Sequence, residues 1–175
     1  MEHIAVDAEG QVYGTYLSPG RVTATDATTG TTTVLGSPTI QTYGAELSVD
    51  EQTLYVAGYS AADPTIYAYD RAGGGWGTER VLATVAGSVG FGGLAVDACD
   101  NVYAIHDGTR LLRWGPDGGE PEVLLERDAG AFMTNLQWGS GVGGWDATSL
   151  YIVDRSFSSP AYYEVPVGVP SKRYP

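Results

Sequence analysis

The sequence predicts an all-β fold, a β-propeller of about four blades that are each built from a four-stranded antiparallel sheet. Three observations lead to this prediction. Glycine contributes 25 of the 175 residues, and Thr, Val and Tyr are plentiful, a composition that favours turns and strands over helices. No stretch keeps helical apolar spacing over three turns. A frame of short strands recurs with a period of about 40 to 50 residues, which is typical of propeller blades.

The repeat is marked by an Asp that is followed, five or six residues later, by a Tyr with an apolar residue directly before it. The four pairs are Asp7 and Tyr13, Asp50 and Tyr55, Asp97 and Tyr103, and Asp146 and Tyr151. Each Asp lies where the first strand of a blade turns into the second, and its side chain can accept backbone N–H bonds there. Use of the same residue in every blade favours a turn over a binding site. We expect the four Tyr rings to be buried between blades.

Each repeat continues with a third strand, and the first three repeats add a fourth. The third strands are "RVTATD" (21–26), "TIYAYD" (65–70), "RLLRWGPDGG" (110–119) and "YYEVPV" (162–167), and the fourth strands are "TTTVL" (31–35), "RVLATV" (80–85) and "EVLLE" (122–126). The blades of this single domain are therefore predicted at about 1–37, 38–87, 88–130 and 131–175. Pro170 and Pro175 disfavour a fourth strand in the last repeat. We expect an open arc whose end blades expose edges and apolar faces for self-association.

Charge and composition exclude some classes of partner. Nine basic against 21 acidic side chains give a net charge of −12, which repels a phosphate backbone, so nucleic acid is not expected. No apolar run approaches the roughly 18 residues of a membrane span, and "MEHIAVDAEG" (1–10) lacks the basic and long apolar stretches of a signal peptide. Cys99 is the only cysteine, so an internal disulfide is excluded. Few lysines and many Thr, Gly and Tyr residues favour an exported protein.

Four segments resemble the family of senescence-marker protein 30 (SMP-30), regucalcin and gluconolactonase, and NHL-repeat propellers share part of the pattern. The segments are "VDAEGQVYGTY" (6–16), similar to VDPxGRxxxGTM; "YGAELSVDEQTLYVAGY" (43–59), similar to NGLxWSPDxxTLYxxDS; "GGLAVDACDNVYAIHDGTRLLRWGPDGG" (92–119), similar to the DGL, VD-turn and NVYVA strand; and "TNLQWGSGVGGWDATSLYIVD" (134–154), similar to TSxxFGGxxxxTLYVT. The resemblance implies part of a six-bladed propeller. It also implies a lactonase in which oxygen donors hold a divalent metal, often calcium, in the axial funnel.

The resemblance places this metal site on residues that mostly cannot form it. The first ligand of the family, a glutamate in an opening blade, has no counterpart in this sequence. The asparagine position falls on or near Glu2, the Asn of NGL falls on Tyr43, and the Asp of DGL falls on Gly92. Glu2 is therefore the one candidate metal ligand. We expect no cofactor, with calcium or another divalent cation as the alternative.

Two sets of side chains are candidates for function. Glu2 and His3 are the candidates for catalysis, because a carboxylate or an imidazole beside the funnel can act as a general base. The candidates for ligand binding are Tyr43, Asn135, Trp76 and Trp145. The two tryptophans lie in Gly-rich stretches that we expect to be loops. His106 is expected to be an exposed or half-exposed turn residue.

The sequence leaves three functions open. The first is a binding or interaction module that uses blade-end loops and aromatic residues to hold a small molecule, a carbohydrate or a protein. The second is a divergent metal-dependent lactonase or ester hydrolase that uses Glu2 and His3. The third is a part of such an enzyme without independent activity. The missing metal ligands favour the first and third, and the fold alone does not decide, because propellers host many functions.

Overall fold

The structure is a computed structural model that describes residues 1–38, 41–59, 62–87, 90–157 and 159–172. Four antiparallel sheets are arranged as a four-blade β-propeller, which confirms the predicted fold class. Within each sheet the first strand is innermost, because the first strands of neighbouring blades contact one another. Among the described residues, no helix is long and apolar enough to cross a membrane.

The strands follow the predicted order. The first blade consists of β1 (His3–Val6), β2 (Gln11–Tyr16), β3 (Arg21–Asp26) and β4 (Thr32–Gly36). The second consists of β5 (Gln41–Leu47), β6 (Thr53–Tyr59), β7 (Thr65–Ala72), β8 (Gly75–Trp76) and β9 (Arg80–Thr84). The third consists of β10 (Phe91–Val96), β11 (Val102–His106), β12 (Arg110–Gly115) and β13 (Gly118–Glu126), and the fourth of β14 (Met133–Trp138), β15 (Ser149–Asp154) and β16 (Ala161–Pro166). The predicted third and fourth strands are found in their predicted places, except that β12 ends at Gly115 and residues 118–119 belong to β13. The part of the fourth blade that the structure describes has three strands.

The short strand β8 lies in a stretch that the sequence predicts as a loop. It returns along the end of β7 in a tight hairpin, with Arg71 opposite Trp76. Gly73 and Gly74 have φ angles of +58° and +84°, which residues with a side chain rarely adopt. The glycines thus form a turn that carries Trp76 back onto the blade.

Three apolar clusters join the first blade to the second, the second to the third and the third to the fourth. Successive side chains of a strand point to opposite faces of the sheet, so each middle blade buries both of its faces. Trp114 and Trp138 are 1% and 6% exposed and fill two of these junctions. Among the described residues, no cluster joins the fourth blade to the first. One face of each end blade therefore lies outside the junctions.

The polar segment "DACDN" (97–101) is a turn. Asp97 Oδ1 accepts the backbone N–H groups of Cys99 and Asn101 at 2.8 and 2.9 Å. Its Oδ2 accepts the hydroxyl of Tyr103 at 2.7 Å, which couples the turn to the second strand. Asp7 holds the equivalent turn of the first blade in the same way. The predicted structural role of these two aspartates is confirmed.

The aspartates of the second and fourth blades occupy a different place in the turn. The N–H groups of Ser48 and Gly139 donate to the start of the second strand, as the N–H of Asp97 does. Ser48 and Gly139 are thus the equivalents of Asp97, and the predicted equivalence of Asp50 and Asp146 is wrong. Asp50 still supports its turn, because its carboxylate accepts the Ser48 hydroxyl at 2.7 Å.

Three of the four repeat tyrosines are buried as predicted. Tyr13, Tyr55 and Tyr103 are 0%, 3% and 0% exposed, and each faces the next blade. Tyr151 holds the equivalent place in the fourth blade and is half-buried. It points to the face that lies outside the three junctions, which explains its greater exposure.

Candidate functional site

A cavity of about 310 Å³ opens where the first strands begin. All four blades contribute to its wall from the start of the first strand, through Glu2, Tyr43, Gly92 and Thr134. A second set lies just after the second strands and consists of Leu17, Gly108 and Arg155. We call this cavity the funnel. Its volume falls at the lower end of the range for small-molecule sites, roughly 300 to 1,000 Å³.

Local irregularities of the inner strands shape the funnel. The pairing register shifts between Thr42 and Ala45, between Phe91 and Leu94, and between Met133 and Asn135. Each shift contains one funnel position, namely Tyr43, Gly92 or Thr134. A bulge bends its strand and changes the direction of a side chain. The same register shift in three blades therefore directs these positions towards the axis.

The described wall of the funnel contains several aromatic rings and two charged side chains. Tyr43, Tyr59 and Phe132 contribute rings, and Tyr59 and Phe132 are 40% and 49% exposed. The charged residues of the wall are Glu2 and Arg155. Within the described residues, neither side chain has a hydrogen-bond or ion-pair partner. The funnel can thus hold a flat apolar surface of a ligand and bind polar groups at its rim.

The residues of the funnel do not fit a calcium ion. Tyr43 offers a phenol, and Glu2 is the only carboxylate among the described residues of the wall. At Gly92, a Cβ atom would lie 2.7 Å from the backbone oxygen of Thr134, so the backbone of the fourth blade occupies the space of a side chain. In the part of the chain that the structure describes, no group of three or more His, Cys, Asp or Glu residues could hold a metal. Calcium requires six to eight oxygen ligands, and this set is too small.

His3 lies beside the funnel wall, among Met1, Glu2 and Ile4. Its Nδ1 accepts the N–H of Ala45 at 3.3 Å and ties the first blade to the second. Burial lowers the pKa of His3, although Glu46 nearby raises it in part. The ring is therefore neutral at pH 7, with its proton on Nε2. In this state His3 can donate a hydrogen bond, and Nδ1 is already occupied.

His106 is buried, so the predicted exposure is wrong. The side chain is 0% exposed and packs behind the funnel wall, with its ring centroid 5.3 Å from that of Phe91. Its Nδ1 accepts from the Arg110 guanidinium at 2.8 Å. Burial lowers the pKa of His106, Asp107 raises it in part and Arg110 lowers it further. The neutral ring supports Phe91 from behind.

The other predicted ligand-binding residues lie in three different places. Asn135 lies against the backbone of Gly93, and its Oδ1 accepts the N–H of Leu136 at 2.9 Å. Trp76 lies in the junction between the first two blades, with its ring edge-on to Tyr13 at 5.3 Å. Trp145 lies on the outer side of the fourth blade and is 49% exposed. Of the predicted residues, Glu2 and Tyr43 both line the funnel.

The sequence interpretation missed Arg155, Tyr59 and Phe132. Arg155 directly follows β15, at the place that Leu17 holds after β2. The repeat therefore contains a signal for Arg155, because the residue directly after a second strand faces the axis in the first blade as well. Phe132 precedes the first strand of its blade and had no comparable signal.

The fold is similar to solved propellers of different activities. A gluconolactonase from Xanthomonas campestris is 18% identical with a TM-score of 0.69, over 95% of this chain and 56% of that chain. A luciferin-regenerating enzyme is 17% identical with a TM-score of 0.71, over 96% and 62%. The PQQ-bound aldose sugar dehydrogenase from Streptomyces coelicolor is 18% identical with a TM-score of 0.67, over 97% and 60%. The chain thus spans 56% to 62% of the length of these proteins, and such low identities show the fold alone.

The family assignment rests on a separate comparison. No curated protein matches the sequence. The family described as "SMP-30/Gluconolactonase/LRE-like region" matches residues 4–154, which is most of the chain. This range runs from within β1 to the end of β15 and includes most of β1 and the inner strands of the other three blades. The chain therefore belongs to the SMP-30/gluconolactonase/LRE-like family.

Proposed function

We propose that this chain is a binding module whose funnel takes a small organic ligand without a metal ion. The observation that carries the proposal is the substitution of side chains at the axis. Tyr43 and Gly92 stand where the resemblance places two oxygen ligands, and the Thr134 backbone fills the space beside Gly92. An aromatic wall binds an organic ligand by burying its apolar surface.

The two charges of the wall define the polar ends of this ligand. The Arg155 guanidinium presents several N–H donors in a fixed plane and suits a carboxylate or a hydroxyl-rich group. Glu2 accepts hydrogen bonds and suits hydroxyl or ammonium groups. A sugar acid or a lactone combines a small ring with such groups. Compounds of this class are therefore the first ligands to test.

The test is a thermal-shift screen of sugars, sugar acids and lactones in the presence of EDTA, followed by calorimetric titration. We expect binding that EDTA does not abolish and that Tyr43→Ala and Arg155→Met each weaken by about tenfold or more. Arg113→Met is the matched control, because Arg113 pairs with Glu122 on an outer strand. Binding that requires calcium, or that is equal in all variants, would contradict the proposal.

The second candidate function is a divergent lactonase. Family membership favours it, and so does the Glu2 carboxylate in the funnel wall, which has no side-chain partner among the described residues. Glu2 would act as a general base that takes a proton from the water attacking the lactone carbonyl. Hydrolysis of glucono-1,5-lactone, followed by acid release with and without added divalent cations, tests this activity. Turnover that Glu2→Gln abolishes would establish the lactonase in place of the binding module.

A further inference from the structure

Two aromatic rings of the funnel wall pack on glycines of the third blade. At Gly90, directly before β10, an added Cβ atom would lie 2.7 Å from a ring carbon of Tyr59. At Gly108, shortly after β11, it would lie 3.4 Å from a ring carbon of Phe132. These two rings and three glycines, Gly90, Gly92 and Gly108, line the funnel together, and we call this part of it the aromatic site. Each ring thus lies where its partner has no side chain.

The backbone holds both rings of the aromatic site in place. Tyr59 forms an antiparallel β-bridge with Gly90 of the neighbouring blade. The Phe132 N–H donates to the buried Asp154 carboxylate at 2.9 Å, and the Phe132 carbonyl accepts the N–H of Arg155, also at 2.9 Å. The two rings are nevertheless 40% and 49% exposed. Rings that are both fixed and exposed can bind a partner at a low cost in conformational entropy.

The third blade adds little bulk beside these rings. Gly90 and Gly92 have no side chain, and Phe91 between them is 0% exposed. The Phe91 ring packs inward, with its centroid 5.3 Å from that of His106 and 5.6 Å from that of Trp114. A ligand can therefore approach the backbone of this strand closely. A thin planar ring fits such a surface better than a puckered ring that carries hydroxyl groups on both faces.

The charges of the funnel favour a ligand with one negative group. Arg155 is the only cation among the described residues of the wall, and its backbone is bonded to that of Phe132, so both side chains start from the same part of the fourth blade. A planar guanidinium can bind one carboxylate through two parallel hydrogen bonds. The Glu2 carboxylate lies in the same wall, and the chain has a net charge of −12. A second negative group on the ligand would therefore be repelled.

We propose that the aromatic site binds a planar aromatic monocarboxylate. The ring of the ligand packs on Tyr59 and Phe132, and its carboxylate binds the Arg155 guanidinium. Aromatic pairs that are offset-stacked or edge-on are stabilised beyond the burial of their area. The two rings and the three glycines lie within residues 59–132, away from both ends of the sequence. This inference rests on the proposed function, a funnel that takes a small organic ligand, and it names the class of that ligand.

The test is calorimetric titration of the full chain, in the presence of EDTA, with three related compounds. The planar aromatic acid is 2-naphthoate, its saturated counterpart is decahydronaphthalene-2-carboxylate, and the uncharged comparison is 2-naphthamide. We expect 2-naphthoate to bind, and the saturated acid to bind about fivefold more weakly because it cannot stack on the two rings. The amide should bind about tenfold more weakly, because it cannot form the charged pair with Arg155.

Variants of the chain locate the bound compound. Tyr59→Leu and Phe132→Leu keep an apolar side chain but remove a ring, and each should weaken 2-naphthoate binding by about fivefold. Arg155→Met should weaken it by about tenfold and abolish the preference over the amide. Trp145→Leu is the matched control, because it removes a 49% exposed ring from the loop between β14 and β15, outside the funnel. It should leave the affinity within about twofold.

The outcomes separate this inference from the proposed function. If sugar acids or lactones bind in the funnel and 2-naphthoate does not, the ligand class is wrong and the binding module stands. The inference is also overturned if the saturated acid binds as tightly as 2-naphthoate, or if Arg155→Met binds 2-naphthoate as the unmodified chain does. If neither class of compound binds, the inference and the proposed function both fail. The comparison of the three compounds uses the unmodified chain, so it does not depend on how the variants fold.

Discussion

We expect the replacement of Lys172 by Met to destabilise the fold, because this residue fastens the C-terminal segment across the blades. The Val167 N–H donates to Thr148 in the fourth blade, and the Pro170 carbonyl accepts from the third blade, both at 3.0 Å. Lys172 then reaches the second blade, where Nζ lies 2.7 Å from Glu46 Oε1 and donates to the Leu47 carbonyl. The segment thus connects three of the four blades.

The burial of the ion pair sets the magnitude. The Lys172 side chain is 3% exposed and that of Glu46 is 27% exposed. Removal of one partner of a buried pair costs about 3 to 5 kcal/mol, and the partial exposure of Glu46 places this pair at the lower end, about 3 kcal/mol. For a domain of this size, each kcal/mol lowers Tm by about 2 to 4 °C. We therefore expect Tm to fall by about 6 to 12 °C.

The assay is thermal and urea unfolding of the unmodified chain, Lys172→Met and a control, Arg80→Met. Arg80 pairs with Asp70 at the same distance of 2.7 Å, but the two side chains are 46% and 50% exposed. An exposed pair contributes about 0 to 1 kcal/mol, so the control should change Tm little. Equal effects of the two substitutions would show that the C-terminal segment does not hold the blades.

Three further outcomes are expected. Gly92→Ala should lower the free energy of unfolding in urea by about 1 to 3 kcal/mol, because the new Cβ would lie 2.7 Å from the Thr134 backbone oxygen. The control Gly115→Ala places its Cβ in open space and should change that free energy by less than about 0.5 kcal/mol. Burial raises the pKa of Asp7, but hydrogen bonds from Tyr13, Gln11 and Arg71 outweigh it and lower the pKa from its ordinary 3.8. Its contribution is therefore complete above pH 3.8 and lost as the pH falls through the lowered value, so the stability gap to Asp7→Asn should close in acid. Sedimentation at rising concentration should show an association that Ile4→Asp removes, since Ile4 is 49% exposed on the outer face of the first blade.

The strands could be predicted from the sequence because each blade is a local structure. Alternating apolar residues and Gly or Asp turns lie within single repeats, and neighbouring strands pair antiparallel in sequence order. The place of the aspartates could not be predicted for every blade. Ser48 and Gly139 fill the turn position of Asp97, and nothing in their side chains marks this equivalence. The backbone pattern repeats where the residue type does not.

The funnel was predicted only in part, because its properties depend on how blades approach one another. The repeat placed Glu2 and Tyr43 at the starts of inner strands, and both line the cavity. The loss of a side chain at Gly92 is visible in the sequence, but the Thr134 oxygen that fills its place comes from the next blade. His106 likewise reads as a turn residue, and its burial depends in part on the preceding repeat, from which Gly87 lies against its ring. Such contacts have no signal in a single repeat.

The two end blades expose sheet faces of opposite character. The outer face of the first blade carries Ile4 and Val34, which are 49% and 52% exposed, and Val12 lies between their strands. Repeat structures need polar terminal faces to stay soluble, since each unit otherwise offers its neighbour's binding surface to solvent. On the fourth blade, Glu164 lies on this face and Trp145 packs against Tyr151. On the first blade, the Met1 side chain lies against Gly14, and Ile4 and Val34 remain exposed. Contact with a further segment or with another chain is therefore to be sought on the first blade.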